Sequence, residues 1–216
     1  MKKRVINIIY YIGRPCAGKT TSSKKLDNNK TSFHFSTGEI MREEMKAETE
    51  LGKILKEQLT GKNLGKLAKP ELSSAITFSA IKKKVESTKG TINIILDGFP
   101  RDLKQKQFLD QHILDYEKDN LVKMEKQIII LDVSKENIIK RMLNRRDTSE
   151  VKRLDDTPEV LESRIKIYED EISEIIAHTP MDKKIYIKGD GSEEYIVSKL
   201  KGYLKQPKAN VKKNLQ

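Results

Sequence analysis

Short runs of apolar, often β-branched residues recur along this chain, and segments with helical periodicity separate them. A nearly continuous apolar run of about 4–8 residues is typical of a strand that is buried on both faces of a sheet. This pattern occurs in "RVINIIYYI" near the start, "INIIL" at 92–96 and "QIIILDV" at 127–133, and more weakly in "FHFS" and in "KKIYIKG" at 183–189. The pattern therefore predicts five strands.

The intervening segments carry the start signals of helices. Ser36 and Glu39 in "STGEIMREEM" have the spacing of a capping box, and Ser134 is placed to cap "KENIIKRML". Thr157 and Pro158 mark the start of a longer helix over "TPEVLESRIKIYEDEISEII". The apolar residues expected on one face of the second helix are Ile138, Ile139, Met142 and Leu143. Those of the third helix are Leu161, Ile165, Tyr168, Ile172 and Ile175.

Strands that alternate with helices predict an α/β fold, in which helices flank a five-stranded parallel sheet. Residues 37–89 hold several helical patterns and no strand pattern, which predicts a helical insertion between the second and third strands. Residues 145–156 are a polar, charged loop, and residues 206–216 are expected to be a flexible basic tail. The predicted core domain consists of residues 1–36, 90–144 and 157–205.

Composition and charge narrow the class of protein. The 216 residues, 36% hydrophobic and 35% charged, fit one polar globular domain with insertions. The net charge of +11 suits a nucleic acid or another anionic ligand, although a lysine-rich proteome would explain it equally well. A single cysteine, Cys16, excludes an internal disulfide and a cysteine-built zinc site. No cleavage pattern follows the first apolar run, and no run approaches the ~20 apolar residues of a membrane span, so we expect a cytoplasmic protein without a membrane partner.

The segment "GRPCAGKT" matches the phosphate-binding pattern G-x-x-x-x-G-K-[ST] at Gly13, Gly18, Lys19 and Thr20. It lies between a predicted buried strand and a predicted helix, which is the context that the pattern requires. The glycines let backbone N–H groups converge on an anion, the lysine reaches the β- and γ-phosphates, and the threonine hydroxyl can approach Mg²⁺ directly or through water. Cys16 stands within this loop, where a negative φ would tolerate it and a positive φ would cost about 1–2 kcal/mol.

Charged residues elsewhere predict the rest of an anion site. Asp97 follows the buried run in "IILDGFPR" and so lies at the strand end where ligands bind in parallel sheets, a position that suits Mg²⁺ or its waters. Arg101 follows shortly after it. Further arginines flank or lie within the polar loop, and arginine forks hold phosphates bidentately. This set is Arg141, Arg145, Arg146, Arg153 and Arg164.

From about residue 5 to 204, the sequence resembles the adenylate kinase family of nucleoside monophosphate kinases. The resemblance rests on the order of "GRPCAGKTT", "STGEIMRE", "GKLAKPEL", "LDGFPRDLKQ", "DVSKENIIKRMLNRR", "RLDDTPEVLESRIKIY" and "KGDGS". It implies a P-loop NTPase-type core, a helical insertion that binds the acceptor monophosphate, and a lid over ATP formed by residues 145–156. The lid is of the short form, so no structural zinc is expected, and the implied state is a monomer.

The resemblance also implies roles for matching residues. Those implied to bind ATP are Gly13, Cys16, Ala17, Gly18, Lys19, Thr20, Thr21, Arg141 and Gly191. Those implied to bind AMP are Thr37, Arg42, Leu67, Ala68, Gly98, Arg101, Gln105, Arg153 and Arg164. Those implied to act on the transferring phosphoryl group are Lys19, Arg101, Arg145, Arg153 and Arg164. Thr20 and Asp97 are implied to hold Mg²⁺, directly or through water.

The implied reaction is the reversible transfer of a phosphoryl group from MgATP to AMP, which gives two ADP. A UMP/CMP-type kinase would differ in the acceptor pocket, and Gln105 after Asp102 and Leu103 favours AMP. A catalytically weak protein that holds nucleotide or nucleic acid is the third hypothesis. Sparse aromatic residues and the lack of a recognised nucleic-acid module oppose it, so we expect ATP and AMP as partners and no nucleic acid. No role is expected for the three histidines, His34, His112 and His178.

Overall fold

The computed structural model describes residues 3–60, 68–148 and 157–205. The strands among them are β1 (Arg4–Gly13), β2 (Ser32–Ser36), β3 (Ile92–Asp97), β4 (Val122–Asp132) and β5 (Lys184–Lys188). The α-helices among them are α1 (Lys19–Lys24), α2 (Thr37–Lys46), α3 (Glu50–Leu59), α4 (Pro70–Glu86), α5 (Leu103–Asp119), α6 (Lys135–Thr148), α7 (Pro158–Ala177) and α8 (Glu193–Lys205). Within these residues the five strands form one parallel sheet in the order β2-β3-β1-β4-β5, which confirms the predicted fold class.

β1 lies at the centre of the sheet and buries side chains on both faces. Ile8 and Tyr10 belong to the core cluster on one face, and Ile9 and Tyr11 belong to the cluster on the other face. β3 and β4 pair with β1 on its two sides. The carboxyl ends of these three strands therefore lie side by side, which is where ligands bind in open parallel sheets.

β4 begins at Val122, upstream of the apolar run that predicted it at 127–133. In this first part the side chains alternate, with Val122 and Met124 buried and Lys123 exposed. The register pairs Arg4 with Val122, so the strand extends along the whole of β1. Alternation over so short a segment gave too weak a strand pattern to be recognised among polar residues.

The predicted helix starts agree with the observed caps. The Ser36 hydroxyl accepts a hydrogen bond from the Glu39 amide at 3.3 Å, while the Glu39 carboxylate pairs with Lys24. The Thr157 hydroxyl accepts from the Val160 amide at the start of α7. The predicted apolar face of α7 is also observed. Tyr168 is partly buried against the core. The aliphatic residues of this face are all buried: Leu161, Ile165, Ile172 and Ile175.

α6 buries a narrower face than its sequence suggested. Ile138 and Met142 are buried, but Ile139 and Leu143, one position further on, are exposed to 47% and 36%. Of the four residues predicted to share one face of this helix, two are therefore buried. Among the described helices, none is both long and apolar enough to cross a membrane.

The described part of residues 37–89 is helical up to the end of α4, as predicted. α2, α3 and α4 lie between β2 and β3 in the chain and share a small cluster of their own, formed by Leu55, Ala68 and Ile76. α4 also packs along α5, which follows β3. The insertion is thereby placed beside the carboxyl ends of β2 and β3.

Candidate active site

The phosphate loop connects β1 directly to α1, as its motif requires. A Cβ atom at Gly13 would lie 2.7 Å from the Leu131 carbonyl oxygen, so the close approach of β4 excludes any side chain there. Gly18 has a φ of 89°, which glycine adopts at no steric cost. Cys16 has a φ of 60°, so this loop does need a positive φ at the cysteine. The half-buried Cys16 side chain packs against the core cluster around Tyr11.

Lys19 lies inside the loop. Its Nζ donates hydrogen bonds to the carbonyl oxygens of Gly13 at 2.7 Å and Arg14 at 2.9 Å. Burial lowers the pKa of Lys19; the Asp97 carboxylate opposes this shift, and the nearby Arg101 adds to it. Neutral carbonyl oxygens therefore hold the Lys19 Nζ in the loop, and the oxygens of an anionic ligand could replace them.

Asp97 lies at the carboxyl end of β3, next to the start of α1. Its Oδ2 accepts a hydrogen bond from the Thr20 hydroxyl and lies 3.5 Å from His34 Nε2. Burial raises the pKa of Asp97, but His34, Lys19 and Thr20 outweigh it and hold the pKa below its ordinary value of 3.8. Asp97 is therefore a buried carboxylate, ionised at neutral pH.

A cavity of about 200 Å³ opens beside this group. Predicted site residues that line it are Gly13, Cys16, Lys19, Thr20, Arg42, Asp97, Gly98, Arg101, Arg145 and Arg164. They come from four parts of the chain: the phosphate loop with α1, the insertion, the segment after β3, and α6 with α7. Basic side chains thus surround the cavity, and Asp97 is the one acidic residue among the described residues that line it. This arrangement suits polyanions.

Two further arginines that line the cavity, Arg42 and Arg101, each lie close to a glycine. The Arg101 Nε donates to the Gly98 carbonyl oxygen at 3.0 Å. A Cβ atom on Gly38 would lie 3.3 Å from the Arg42 guanidinium. Since both side chains line the cavity, a ligand phosphate there would meet two guanidinium groups.

Arg141 joins the phosphate loop to the turn after β5. Its guanidinium donates to the carbonyl oxygens of Ala17 at 2.6 Å and Gly189 at 2.7 Å. In the same turn, Asp190 Oδ1 accepts from the amide and hydroxyl of Ser134 and from the side chain of Asn137, at 2.8–3.0 Å. Hydrogen bonds from α6 and its first turn therefore hold both the phosphate loop and the 189–191 turn. This turn includes Gly191, which was predicted to bind ATP.

Other predicted residues do not line the cavity. The buried Thr37 hydroxyl donates to the backbone oxygens of Asp97 and Gly98. The Gln105 side chain is buried, and its Oε1 accepts from the Arg101 amide at 2.9 Å. Ala68 is buried in the insertion, and Thr21 is exposed on α1. The predicted Leu67 and Arg153 lie outside the described residues.

Sequence analysis missed two residues at the site. His34 was expected to have no role, yet its ring lies beside Asp97 because β2 pairs with β3 in register. Arg14, within the phosphate loop, bonds to the end of β4 and to Glu169 of α7. Neither contact has a local pattern in the sequence. That of His34 depends on which strands pair, and that of Arg14 joins residues 155 positions apart.

Thr20 and Asp97 fit the expected Mg²⁺. Their hydroxyl and carboxylate oxygens lie together beside the loop, and Mg²⁺ is usually held by one or two carboxylates, waters and substrate phosphates. Within residues 3–60, 68–148 and 157–205, no group of three or more histidine, cysteine, aspartate or glutamate side chains could hold a metal ion. Any magnesium here would therefore take further ligands from the nucleotide and water.

Comparison with known proteins agrees with this geometry. The adenylate kinase family model matches residues 11–184. An adenylate kinase of Parabacteroides distasonis is 32% identical over 198 residues, which cover 91% of this chain and 96% of that protein. One from Helicobacter pylori is 34% identical over 197 residues, covering 89% and 94%, and one from Prochlorococcus marinus is 31% identical over 192 residues, covering 88% and 91%. The motif order, the fold and these matches together show that the chain belongs to the adenylate kinase family.

Proposed function

We propose that this chain transfers a phosphoryl group reversibly from MgATP to AMP, giving two ADP. The observation that carries the proposal is the cavity in which Lys19 of the phosphate loop and guanidinium groups from three other parts of the chain converge beside Asp97. Membership of the adenylate kinase family supports the same reaction. A UMP/CMP-type acceptor is the less favoured alternative.

ATP binds on the phosphate-loop side. Backbone N–H groups of the loop and the Lys19 ammonium hold its β- and γ-phosphates, with Lys19 exchanging the Gly13 and Arg14 carbonyls for phosphate oxygens. The adenine lies against Arg141 and contacts the backbone of Gly191 in the 189–191 turn, which Arg141 holds through the Gly189 carbonyl oxygen. The residues that we assign to ATP are Gly13, Cys16, Ala17, Gly18, Lys19, Thr20, Thr21, Arg141 and Gly191.

AMP binds between the insertion and the segment after β3. Arg42 and Arg101 hold its phosphate, and Thr37 keeps the backbone of Gly98 in place through its hydroxyl. Gln105 uses its oxygen on the Arg101 amide, which leaves its amide N–H groups to donate to the purine. Leu67 and Ala68 line the base.

Catalysis then requires positioning and charge neutralisation, and no general base. An oxygen of the AMP phosphate attacks the γ-phosphorus of ATP, and the bond from that phosphorus to the β–γ bridging oxygen breaks. Lys19, Arg101, Arg145, Arg153 and Arg164 surround the transferring group and stabilise its charge. Thr20 and Asp97 would hold Mg²⁺, directly or through water, and the ion would supply charge neutralisation at the phosphates.

Closure of the site excludes water and so limits wasteful hydrolysis of ATP. We assign the AMP-binding domain to residues 37–89, the lid to residues 145–156, and the core to residues 1–36, 90–144 and 157–205. A monomer contains both substrate sites in this arrangement, and we propose that the protein acts as a monomer in the cytoplasm.

The test is ADP formation from MgATP with AMP, UMP, CMP, GMP or dTMP supplied separately as acceptor. We expect a strong preference for AMP. Lys19→Ala should lower kcat by about 100- to 1,000-fold, because it removes a charge aimed at the transferring group. Lys30→Ala, which removes an exposed lysine away from the cavity, is the matched control and should behave as the unaltered chain.

Each outcome is decisive. Preference for UMP or CMP would overturn the acceptor assignment and the role of Gln105. Nucleotide binding without transfer to any acceptor would overturn the proposed activity itself.

A further inference from the structure

Arg14 is the residue after Gly13 in the phosphate loop, but it does not line the cavity. Its guanidinium points to the end of β4, where it donates to the Val133 carbonyl oxygen at 3.0 Å and to Asp132 Oδ1 at 3.1 Å. The Nε and second terminal nitrogen both donate to Glu169 Oε1, at 3.3 and 3.2 Å. The Arg14 guanidinium therefore bonds to other groups of the protein and does not line the cavity.

Glu169 lies on α7, five residues after Arg164, which is about 7.5 Å along the helix axis. Arg164, Ile167 and Tyr168 of the same helix all line the cavity. Lys135, at the start of α6, donates to Glu169 Oε2 at 3.3 Å. Glu169 thus connects the loop to the helix that presents Arg164.

We propose that Arg14 is a positioning residue, which through Glu169 fixes the distance between the phosphate loop and Arg164. A helix moves as a rigid element, so a contact at Glu169 restrains the Arg164 backbone as well. The planar guanidinium fork suits this task, since it contacts β4 and α7 at once. The inference rests on the proposed function, because it is in phosphoryl transfer that the separation of Arg164 from the loop matters.

A direct role for the Arg14 charge is the competing explanation. The residue adjoins the loop that would hold the donor phosphates, so its charge alone could strengthen ATP binding. Glu169→Gln separates the two explanations, because it weakens the contact to α7 without removing charge from the loop.

The experiment measures kcat, both KM values and the ATP dissociation constant of Arg14→Met, Glu169→Gln and the double variant. We expect each single variant to lower kcat about 3- to 10-fold, with ATP binding of Glu169→Gln changed less than twofold. The kcat of the double variant should equal that of the single variants, because both substitutions remove the same Arg14–Glu169 interaction and their losses do not multiply. Arg14→Lys should recover part of kcat. Glu174→Gln, an equal charge change at an exposed position of α7, should have no effect.

Weak ATP binding in Arg14→Met together with unchanged kcat in Glu169→Gln would overturn the proposal. So would losses that multiply in the double variant. Hydrogen exchange of the amides at 161–168, measured without nucleotide, should be faster in both single variants than in Glu174→Gln. If the unaltered chain forms no ADP, the proposed function fails, and this exchange measurement alone then decides whether Arg14 restrains α7.

Discussion

Cys16 occupies a loop position whose backbone takes a φ of 60°. In this left-handed region a side chain costs about 1–2 kcal/mol, because Cβ approaches the backbone too closely. The Cys16 side chain recovers part of that cost by packing against the core cluster around Tyr11. Stability at this residue is therefore a balance between backbone strain and packing.

Replacing Cys16 by glycine and by alanine separates the two effects. Both variants remove the thiol, but alanine keeps the strained backbone and glycine relieves it. We predict that Cys16→Gly is more stable than Cys16→Ala by about 1 kcal/mol, as measured by urea unfolding. At an unstrained position alanine is the more stable residue by about 0.4–1 kcal/mol, so an alanine variant that is more stable by this amount would show that the loop is not strained here.

Some of the predicted residues that line the cavity have a position that follows directly from a local motif. Lys19 and Thr20 come directly after a strand and a glycine-rich loop, and Asp97 ends another strand, so the topology alone brings them together. Arg14 and His34 could not be found in this way, because their partners depend on strand register and on distant helices.

At the scale of elements, α6 supports the proposed ATP base site from two points. Arg141 holds the backbone of the 189–191 turn from the middle of the helix, and Asp190 holds the helix start through Ser134 and Asn137. Because three hydrogen bonds converge on one oxygen of Asp190, this residue fixes the turn relative to the helix.

Asp190→Ala should therefore raise the KM for ATP by about 3- to 10-fold, since roughly 1 kcal/mol of positioning is lost. The KM for AMP should stay unchanged because the proposed AMP site lies elsewhere. Initial rates with each substrate varied in turn provide the measurement. Asp190→Asn keeps an acceptor oxygen, so its KM for ATP should lie between that of the unaltered chain and that of Asp190→Ala. An equal rise in both KM values would indicate general damage to the fold.

Element prediction succeeded where hydrophobic runs were continuous and failed where burial was partial. β1 and β3 were recognised because both faces are buried, whereas the start of β4 alternates and was missed. The exposed Ile139 and Leu143 of α6 show the same limit, since periodicity does not reveal how wide a face the neighbouring elements cover.

At the scale of the whole molecule, one carboxylate links three elements of the core. Asp110 on α5 accepts from Tyr10 of β1 at 3.0 Å, from Lys106 at 2.7 Å, and pairs with Lys126 of β4 at 2.9 Å. Burial raises the pKa of Asp110, but the bonds from Lys106 and Lys126 outweigh it and leave the pKa below 3.8. A carboxyl group with a lowered pKa stabilises the fold above its unfolded-state pKa, and this stabilisation is lost as the pH falls through the folded-state value.

Asp110→Asn should lower the free energy of unfolding at pH 7 by about 1–3 kcal/mol, because charge-assisted hydrogen bonds are lost. The difference from the unaltered chain should shrink as the pH falls below about 4. Urea unfolding at several pH values between 3 and 7 measures both effects. Asp115→Asn, on the same helix but with an exposed partner, should barely change stability. A difference that stays constant down to pH 3 would contradict the account.

Incubation of the unaltered chain with ADP and Mg²⁺ alone tests the central claim most directly. An enzyme with both an ATP and an AMP site converts two ADP into ATP and AMP, and phosphorus NMR follows all three nucleotides. We predict ATP and AMP in equal amounts, with conversion by Lys19→Ala slower by about 100- to 1,000-fold. Unchanged ADP, or AMP and free phosphate without ATP, would contradict the assignment.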